Sequence, residues 1–404
     1  MKVRGVNLGN WFCLEKWMKP ELFDGCDELD EYGLLTALPE ESQRRLKEHY
    51  ETYITEKDIA FLAEAGVNLL RIPISFAIFG DVEGRVGYIE CLDRAFDWAE
   101  KYDMQILIDL HSVRGGQNGF DNSGYCMLCT WHLHPEYVEE TYALLERVVK
   151  RYAGRKAFFG IEPLNEPASA GILEGNRGRY GQRYPERVAP SEPIPDEFIY
   201  QFYLEVYKRL KPLMPEDKVI VLSDQFDLGK WDNFMPADQY PGVWIDTHKY
   251  ICFSEGAIEE SGGYAAMDES ALGDDSLSGS EKSKEALGAG IGYAAEGSAL
   301  YDDSLKNYLA LIEDGFKSDV QRAAQFHPVM VGEWCLVNHM KAIRNAASPE
   351  EKAKYYRALA DAQIAAWETC EGGAYWSYRV DNEEEDRSWD FRECVKNGWL
   401  TYHL

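Results

Sequence analysis

The sequence predicts an α/β fold in one domain, a (β/α)8 TIM barrel, and three observations carry that prediction. Short apolar runs alternate with amphipathic stretches from end to end, the order that lays helices over a parallel sheet. Eight such runs are present. Polar residues cluster where the runs give way to loops, the edge at which barrels of this kind assemble their chemistry. A doubly wound open sheet is the competing layout.

The apolar runs are Val3–Asn7, Asn68–Ile74, Gln105–Leu110, Phe158–Asn165, Lys218–Leu222, Val243–Thr247, Val329–Gly332 and Gly373–Ser377. Helical stretches fall between them at Glu56–Ala65, Tyr88–Tyr102, Pro135–Tyr152, Asp196–Leu213, about Asp303 to Gln325, and Glu350–Cys370. Thr55 is placed to cap the first of these helices with Asp58 three positions on, and Gly66 marks its stop. Two insertions interrupt the repeat. Residues 168–195 follow the fourth run and are rich in Gly, Pro and Arg; residues 254–298 follow the sixth and are rich in Gly, Ala, Ser and Glu. Both are expected as loop insertions on the catalytic face, the second as either a solvated loop or an ordered lid. The whole chain, 1–404, then forms a single catalytic barrel.

Composition narrows the function classes. With 70 acidic and 42 basic residues the chain carries a formal charge of −28, a field that repels nucleic acid and anionic membranes, so neither is expected as a partner. No apolar stretch is long enough to span a bilayer. Met1–Gly5 runs straight into the first strand, and nine cysteines show no disulfide framework. A cytoplasmic location is expected, or secretion if a leader has been removed. The aromatic share, 13% with 11 Trp and 25 Tyr, permits stacking on sugar rings as readily as core filling.

The strand ends present one set of residues. Glu166 closes the fourth run in Leu164-Asn165-Glu166-Pro167, and Glu333 closes the seventh in Val331-Gly332-Glu333-Trp334. Two carboxylates from separate strands are the equipment for breaking a glycosidic bond. Arg71, His111, Asn165, His248, Tyr250 and Trp376 are expected around them. Asn165 suits a sugar 2-hydroxyl, Arg71 and Tyr250 suit holding Glu333 ionised, and Trp376 suits a floor for the ring. An ionised Glu333 is then expected to raise the proton affinity of Glu166. Taken singly, each residue could equally be a cap, an ion-pair partner or a satisfied core group.

These motifs resemble glycoside hydrolase family 5, a retaining family of clan A, over nearly the whole chain. The resemblance implies Glu166 as acid/base and Glu333 as nucleophile, with Arg71, His111, His248, Tyr250 and Trp376 on the remaining family positions. Finer motifs resemble the exo-β-1,3-glucanase branch: Arg4-Gly5-Val6-Asn7-Leu8-Gly9-Asn10-Trp11, Leu14-Glu15-Lys16-Trp17, Gln117–Gly124 and Ser388-Trp389-Asp390-Phe391. The resemblance implies that Glu15 grips the non-reducing-end sugar, that Asn118 lies in a substrate loop, and that Phe120 and Phe253 clamp the next sugar. It implies a β-linked oligosaccharide or glucoside substrate, no cofactor and no metal. It leaves open the linkage (β-1,3, β-1,6 or β-1,4), an endo-β-1,4-glucanase, a transglycosylase, and a carbohydrate-binding barrel without catalysis.

Other features compete for attention. His111-Ser112-Val113-Arg114-Gly115-Gly116 departs from the branch and is expected to bring Arg114 near the site. Cys126 and Cys129 with His132 and His134 allow a zinc site, although a single C-x2-C is a weak signal. Arg177, Arg179, Arg183 and Arg187 suit either an anionic substrate or pairing with the acidic surface. Lys249 allows a Schiff base, but as His248's neighbour on a strand it should face the other way.

Overall fold

Alternation along each strand sorts the chain into an inside and an outside. The computed structural model describes residues 2–260 and 305–402. Its strands are β1 (Val3–Asn7), β2 (Leu69–Ser75), β3 (Gln105–Ser112), β4 (Phe158–Glu162), β5 (Val219–Ser223), β6 (Val243–His248), β7 (Val329–Trp334) and β8 (Gly372–Tyr375). They are joined in order as a closed parallel barrel, β8 pairing back onto β1 with Val3 opposite Gly372. The open sheet is excluded.

The barrel interior is layered. Its floor is an apolar cluster of Val3, Leu69, Leu107, Val219, Val221 and Met330, with Phe159 and Trp244 against it. Further along five of the strands the inward face becomes polar: Asn7, Arg71, Asp109, Glu162 and Asp246, all 0% exposed. The outward face, with Val6, Leu70, Ile72, Ile106, Ile108, Ile161 and Ile220, packs into the larger core beneath the helices.

Glu333 does not follow the alternation. Met330 and Gly332 face inward on β7, so a regular strand would turn Glu333 out. The register between β6 and β7 slips at this point, Thr247 pairing with Val331 and His248 with Glu333. A bulge of this kind re-aims a side chain, and here it turns the Glu333 carboxylate into the barrel mouth.

The expected helices form with small shifts at their ends. Glu56–Glu64 carries the anticipated capping box, with the Thr55 amide donating to Asp58 Oδ2 at 2.7 Å. Gly66 leaves the helix at φ +84°, a conformation costly for any residue with a Cβ. Ile89–Lys101, Pro135–Tyr152, Asp196–Leu210 and Pro349–Trp367 take the other expected places, and 305–323 is helical where a helix was expected from about Asp303. Asp303 itself lies outside the described residues.

Three differences affect the site. The fourth strand, expected to run to Asn165, ends at Glu162 because Pro163 has no N–H for the ladder. Asn165 and Glu166 therefore stand on a loop, Glu166 at φ +47°. The insertion 168–195 is not loop throughout, since Ala170–Tyr180 is a helix and Pro185–Val188 a further helical turn. Helices Glu31–Ala37 and Pro39–Thr52, between β1 and β2, were not expected. Of the insertion at 254–298, the first residues belong to helix Ile251–Glu260 and 261–298 lie outside the described residues. Among the described residues no helix is long and apolar enough to cross a membrane.

Candidate active site

Arg71 organises the barrel mouth. Its guanidinium is wholly buried and reaches five acids and amides: Glu162 Oε2 at 2.8 Å, Glu333 Oε1 at 2.8 Å, Asn7 Oδ1 at 3.0 Å, Asn165 Oδ1 at 2.9 Å and Asp109 Oδ2 at 3.2 Å. Asp246 Oδ2 lies 3.7 Å away. A planar fork with five N–H groups is the only side chain that can bind so many acceptors at once. Asn7 completes the seat of Glu333 by donating to the Gly332 carbonyl at 2.8 Å.

The two glutamates share one pocket. Tyr250 donates its hydroxyl to Glu333 Oε2 at 2.6 Å. His248 Nδ1 lies 2.6 Å from Glu166 Oε1 and 3.5 Å from Glu333 Oε2. One carboxylate oxygen from each glutamate and a His248 nitrogen all fall within 4.8 Å of one another. Retaining glycosidases hold their carboxyls ~5–5.5 Å apart, whereas inverting enzymes need about 6.5–9.5 Å for an interposed water. The spacing is that of the retaining class.

The proton affinities differ from the sequence expectation. Burial pushes the Glu166 carboxyl up, but the hydrogen bond and charge of His248, with His111 and Asn122, outweigh it and hold Glu166 below its usual range. At Glu333 burial prevails, with Glu166 adding to it against His248 and Arg71, and the carboxyl sits above its usual range. His248 is well above its ordinary value: burial opposes its charge, but Glu333, Asp246 and Glu166 win. The expected order of the two glutamates is thus reversed, because the histidine is bonded to Glu166 and not to Glu333.

Most other expected residues converge here. His111 is held by Asp109 Oδ2 at 2.6 Å, faces Asn165 Nδ2 at 3.4 Å, and stacks on Trp376 with 5.6 Å between centroids. Trp376 lies one residue beyond β8, whose expected end at Ser377 is corrected to Tyr375. Glu15 is buried beside Trp17, whose indole donates to it at 2.9 Å. Burial and the charge of Asp121 raise the Glu15 carboxyl well above its ordinary range, with Glu333 and Glu166 adding. Phe253, 36% exposed, leans on Tyr250 and Trp389.

Asn118 and Phe120 stand on the loop after β3. The Asn118 side chain accepts from the Phe120 amide at 2.9 Å and donates to Asn122 Oδ1 at 3.4 Å, so it shapes the loop that carries Asn122. Phe120 is buried on that loop. Arg114 is a correction: it pairs with Glu140 at 2.8 Å and lies over Tyr137 and Phe76, on the outer wall.

The competing readings lose their geometry. Cys126, Cys129, His132 and His134 form no group of three ligands close enough for one ion among the described residues. Arg177 pairs with Glu174, Arg183 donates to the Asp27 carbonyl, and Arg187 pairs with Asp30 while lying over Tyr184. Lys249 turns away from His248 to Asp319. In contrast, Asn122 was missed: its amide donates to Glu166 Oε2 at 3.1 Å from a loop that has no period to read. Asp109 and Asp246 were also missed, although each stands two residues before a histidine on the same strand face.

A parallel eight-stranded barrel with two close carboxylates at its mouth defines a retaining glycoside hydrolase. The comparisons agree. Residues 31–190 match Cellulase (glycosyl hydrolase family 5). The chain is 30% identical to probable glucan 1,3-beta-glucosidase A of Emericella nidulans, over 98% of this chain and 89% of that protein. It is also 30% identical to glucan 1,3-beta-glucosidase of Schwanniomyces occidentalis, over 99% and 88%. Among solved structures, rutinosidase from Aspergillus niger superimposes with a TM-score of 0.71 at 19% identity, over 98% of this chain and 97% of that one. This chain belongs to glycoside hydrolase family 5, and it hydrolyses β-glucosidic bonds.

Proposed function

We propose that this enzyme removes glucose from the non-reducing ends of β-1,3-linked glucan oligosaccharides, with Glu333 as nucleophile and Glu166 as acid/base. The carboxylate spacing within 4.8 Å carries the retaining mechanism, and the division of roles rests on the likeness of Leu164-Asn165-Glu166-Pro167 and Val331-Gly332-Glu333-Trp334 to the family's acid/base and nucleophile motifs. The substrate reading is supported by relatives named glucan 1,3-beta-glucosidase that match nearly the full chain. Glu15 supports exo action: a buried carboxyl beside Trp17 gives the terminal sugar a polar end-stop. In the first half-reaction Glu333 attacks the anomeric carbon while Glu166 protonates the departing oxygen. In the second, Glu166 takes a proton from the water that releases the sugar. In this reading Asn165, whose Oδ1 is held by Arg71, bonds the 2-hydroxyl, a contact that tightens as positive charge develops at the ring.

Product analysis on laminari-, gentio- and cello-oligosaccharides tests the substrate. Glucose as the sole early product from laminari-oligosaccharides is expected, and mixed lengths would replace exo with endo action. Glu166→Ala tests the acid. Its kcat/KM on an oligosaccharide should fall about 10²–10⁴-fold, while a dinitrophenyl glucoside, whose leaving group needs no proton, should keep near wild-type kcat/KM. Equal losses on both substrates would remove Glu166 from that role.

A further inference from the structure

The same short pattern occurs on two strands, Asp109-Leu110-His111 on β3 and Asp246-Thr247-His248 on β6. A spacing of two puts each pair on the inner face. Asp246 lies behind the histidine that touches Glu166: its Oδ2 is 3.4 Å from His248 Nε2. Among the described residues neither atom has a hydrogen-bond partner other than the facing one. The seat of Asp246 is built for a carboxylate. Its Oδ1 accepts the Gly332 amide at 2.5 Å, and a Cβ on Gly332 would come within 1.9 Å of Oδ2. A bare glycine is therefore required immediately before Glu333.

We propose that Asp246 is a positioning residue for the acid/base: by backing Nε2 of His248 it aims Nδ1 at Glu166 and keeps one proton in the His248–Glu166 pair. This rests on the reading of Glu166 as acid/base. The proton passes from Nδ1 to Glu166 and on to the leaving oxygen as the C1–O bond breaks. When water attacks the glycosyl-enzyme, Glu166 takes the water's proton and the pair is restored.

Other groups face the ring from every side. Glu166 comes from the loop after β4, Glu333 from β7, Glu162 from β4, and Arg71 from β2 through Asp246. Phe226 sets its ring edge-on at 6.2 Å, with Asp224 and Lys249 beyond. Among the acids, Glu333 loses its charge when it forms the ester. Burial holds Glu162 well above the ordinary carboxyl range despite Arg71. Asp246 is the carboxyl group set against Nε2, and it forms no bond to the sugar in either half-reaction.

The test is the pH profile of kcat/KM for Asp246→Asn on a laminari-oligosaccharide and on the dinitrophenyl glucoside. Loss of the backing carboxylate should move the alkaline limb on the oligosaccharide to lower pH by about one to two units. On the dinitrophenyl glucoside, the acid-dependent limb should be missing from variant and wild type alike. A uniform fall in rate with the limb unmoved would overturn the proposal and leave Asp246 a structural residue. Failure of the underlying reading shows separately, as equal losses for Glu166→Ala on the two substrates. If Asp246→Asn does not fold, ¹⁵N-histidine NMR of the wild-type enzyme decides, with His248 assigned by His248→Gln. An Nε2 proton moved downfield by a bonded carboxylate supports the proposal, and an Nε2 that carries no proton at pH 7 overturns it.

Discussion

Glu333→Ala should lose about ten-thousand-fold or more in kcat on any β-glucoside and regain turnover when azide is added. The reason is geometric. Glu333 is aimed at the sugar by three contacts, from β2, the loop after β6 and β1 in turn: Arg71 on Oε1, Tyr250 on Oε2, and the Asn7 bond to the preceding carbonyl. Removing the carboxylate leaves a small hole on the face from which C1 is attacked, while Glu166 still protonates the leaving oxygen. Azide fits that hole and attacks from the same side. The product is then a glycosyl azide of inverted configuration, because only one displacement has occurred. NMR of the anomeric proton reads the outcome directly. An azide product of retained configuration would mean that an intact nucleophile lies elsewhere. Wild-type activity without azide would remove Glu333 from the chemistry.

The same three contacts show how far the sequence could be read. Eight apolar runs and their order identify the barrel, and Glu166 and Glu333 are legible because each ends a run with a polar residue where apolar ones precede it. The alternation rule extends inward from there: Asp109 is two residues from His111 and Asp246 two from His248, so the acids of the inner layer lie on a readable face. They are less evident than the glutamates because they lie one layer below the strand tips, among apolar neighbours. The orientation of Glu333 was not legible, since it depends on a register slip between β6 and β7 that no periodicity encodes. Asn122 and the loop position of Glu166 are set by backbone turns outside the strands. Helix Glu31–Ala37 has only 7 residues, too few to show a period, and Pro39–Thr52 is mostly charged and polar, with Leu46 and Tyr50 its buried apolar side chains. Their starts carry signals nonetheless: Asp30 caps the first at 2.7 Å from the Gly33 amide, and Pro39 opens the second.

Arg71→Met should cost about 3–5 kcal/mol of stability as well as activity, since it leaves buried acids without their cation. Arg71 is 0% exposed and bonds Glu162 and Glu333 directly, with Asp109 at 3.2 Å and Asp246 at 3.7 Å. Methionine fills much of the same volume, so the loss reports charge and not a cavity. The pH dependence has a definite sign. Burial already sets Glu162 and Glu333 above their ordinary range, and Arg71 is the main group pulling Glu162 back. Without Arg71 both rise further. A carboxyl whose folded value exceeds its unfolded one gives stability that is complete below the unfolded value and is lost as pH climbs through the folded one. The deficit of Arg71→Met should therefore be smallest in acid, near the unfolded glutamate value of about 4.3, and grow towards neutrality. Urea midpoints measured across that interval test it. Adding Glu162→Gln to Arg71→Met should recover part of the loss, because one stranded charge is removed. If the deficit is flat with pH and the second substitution only adds to it, the arginine holds the barrel by packing alone, and the inner carboxylates do not depend on its charge.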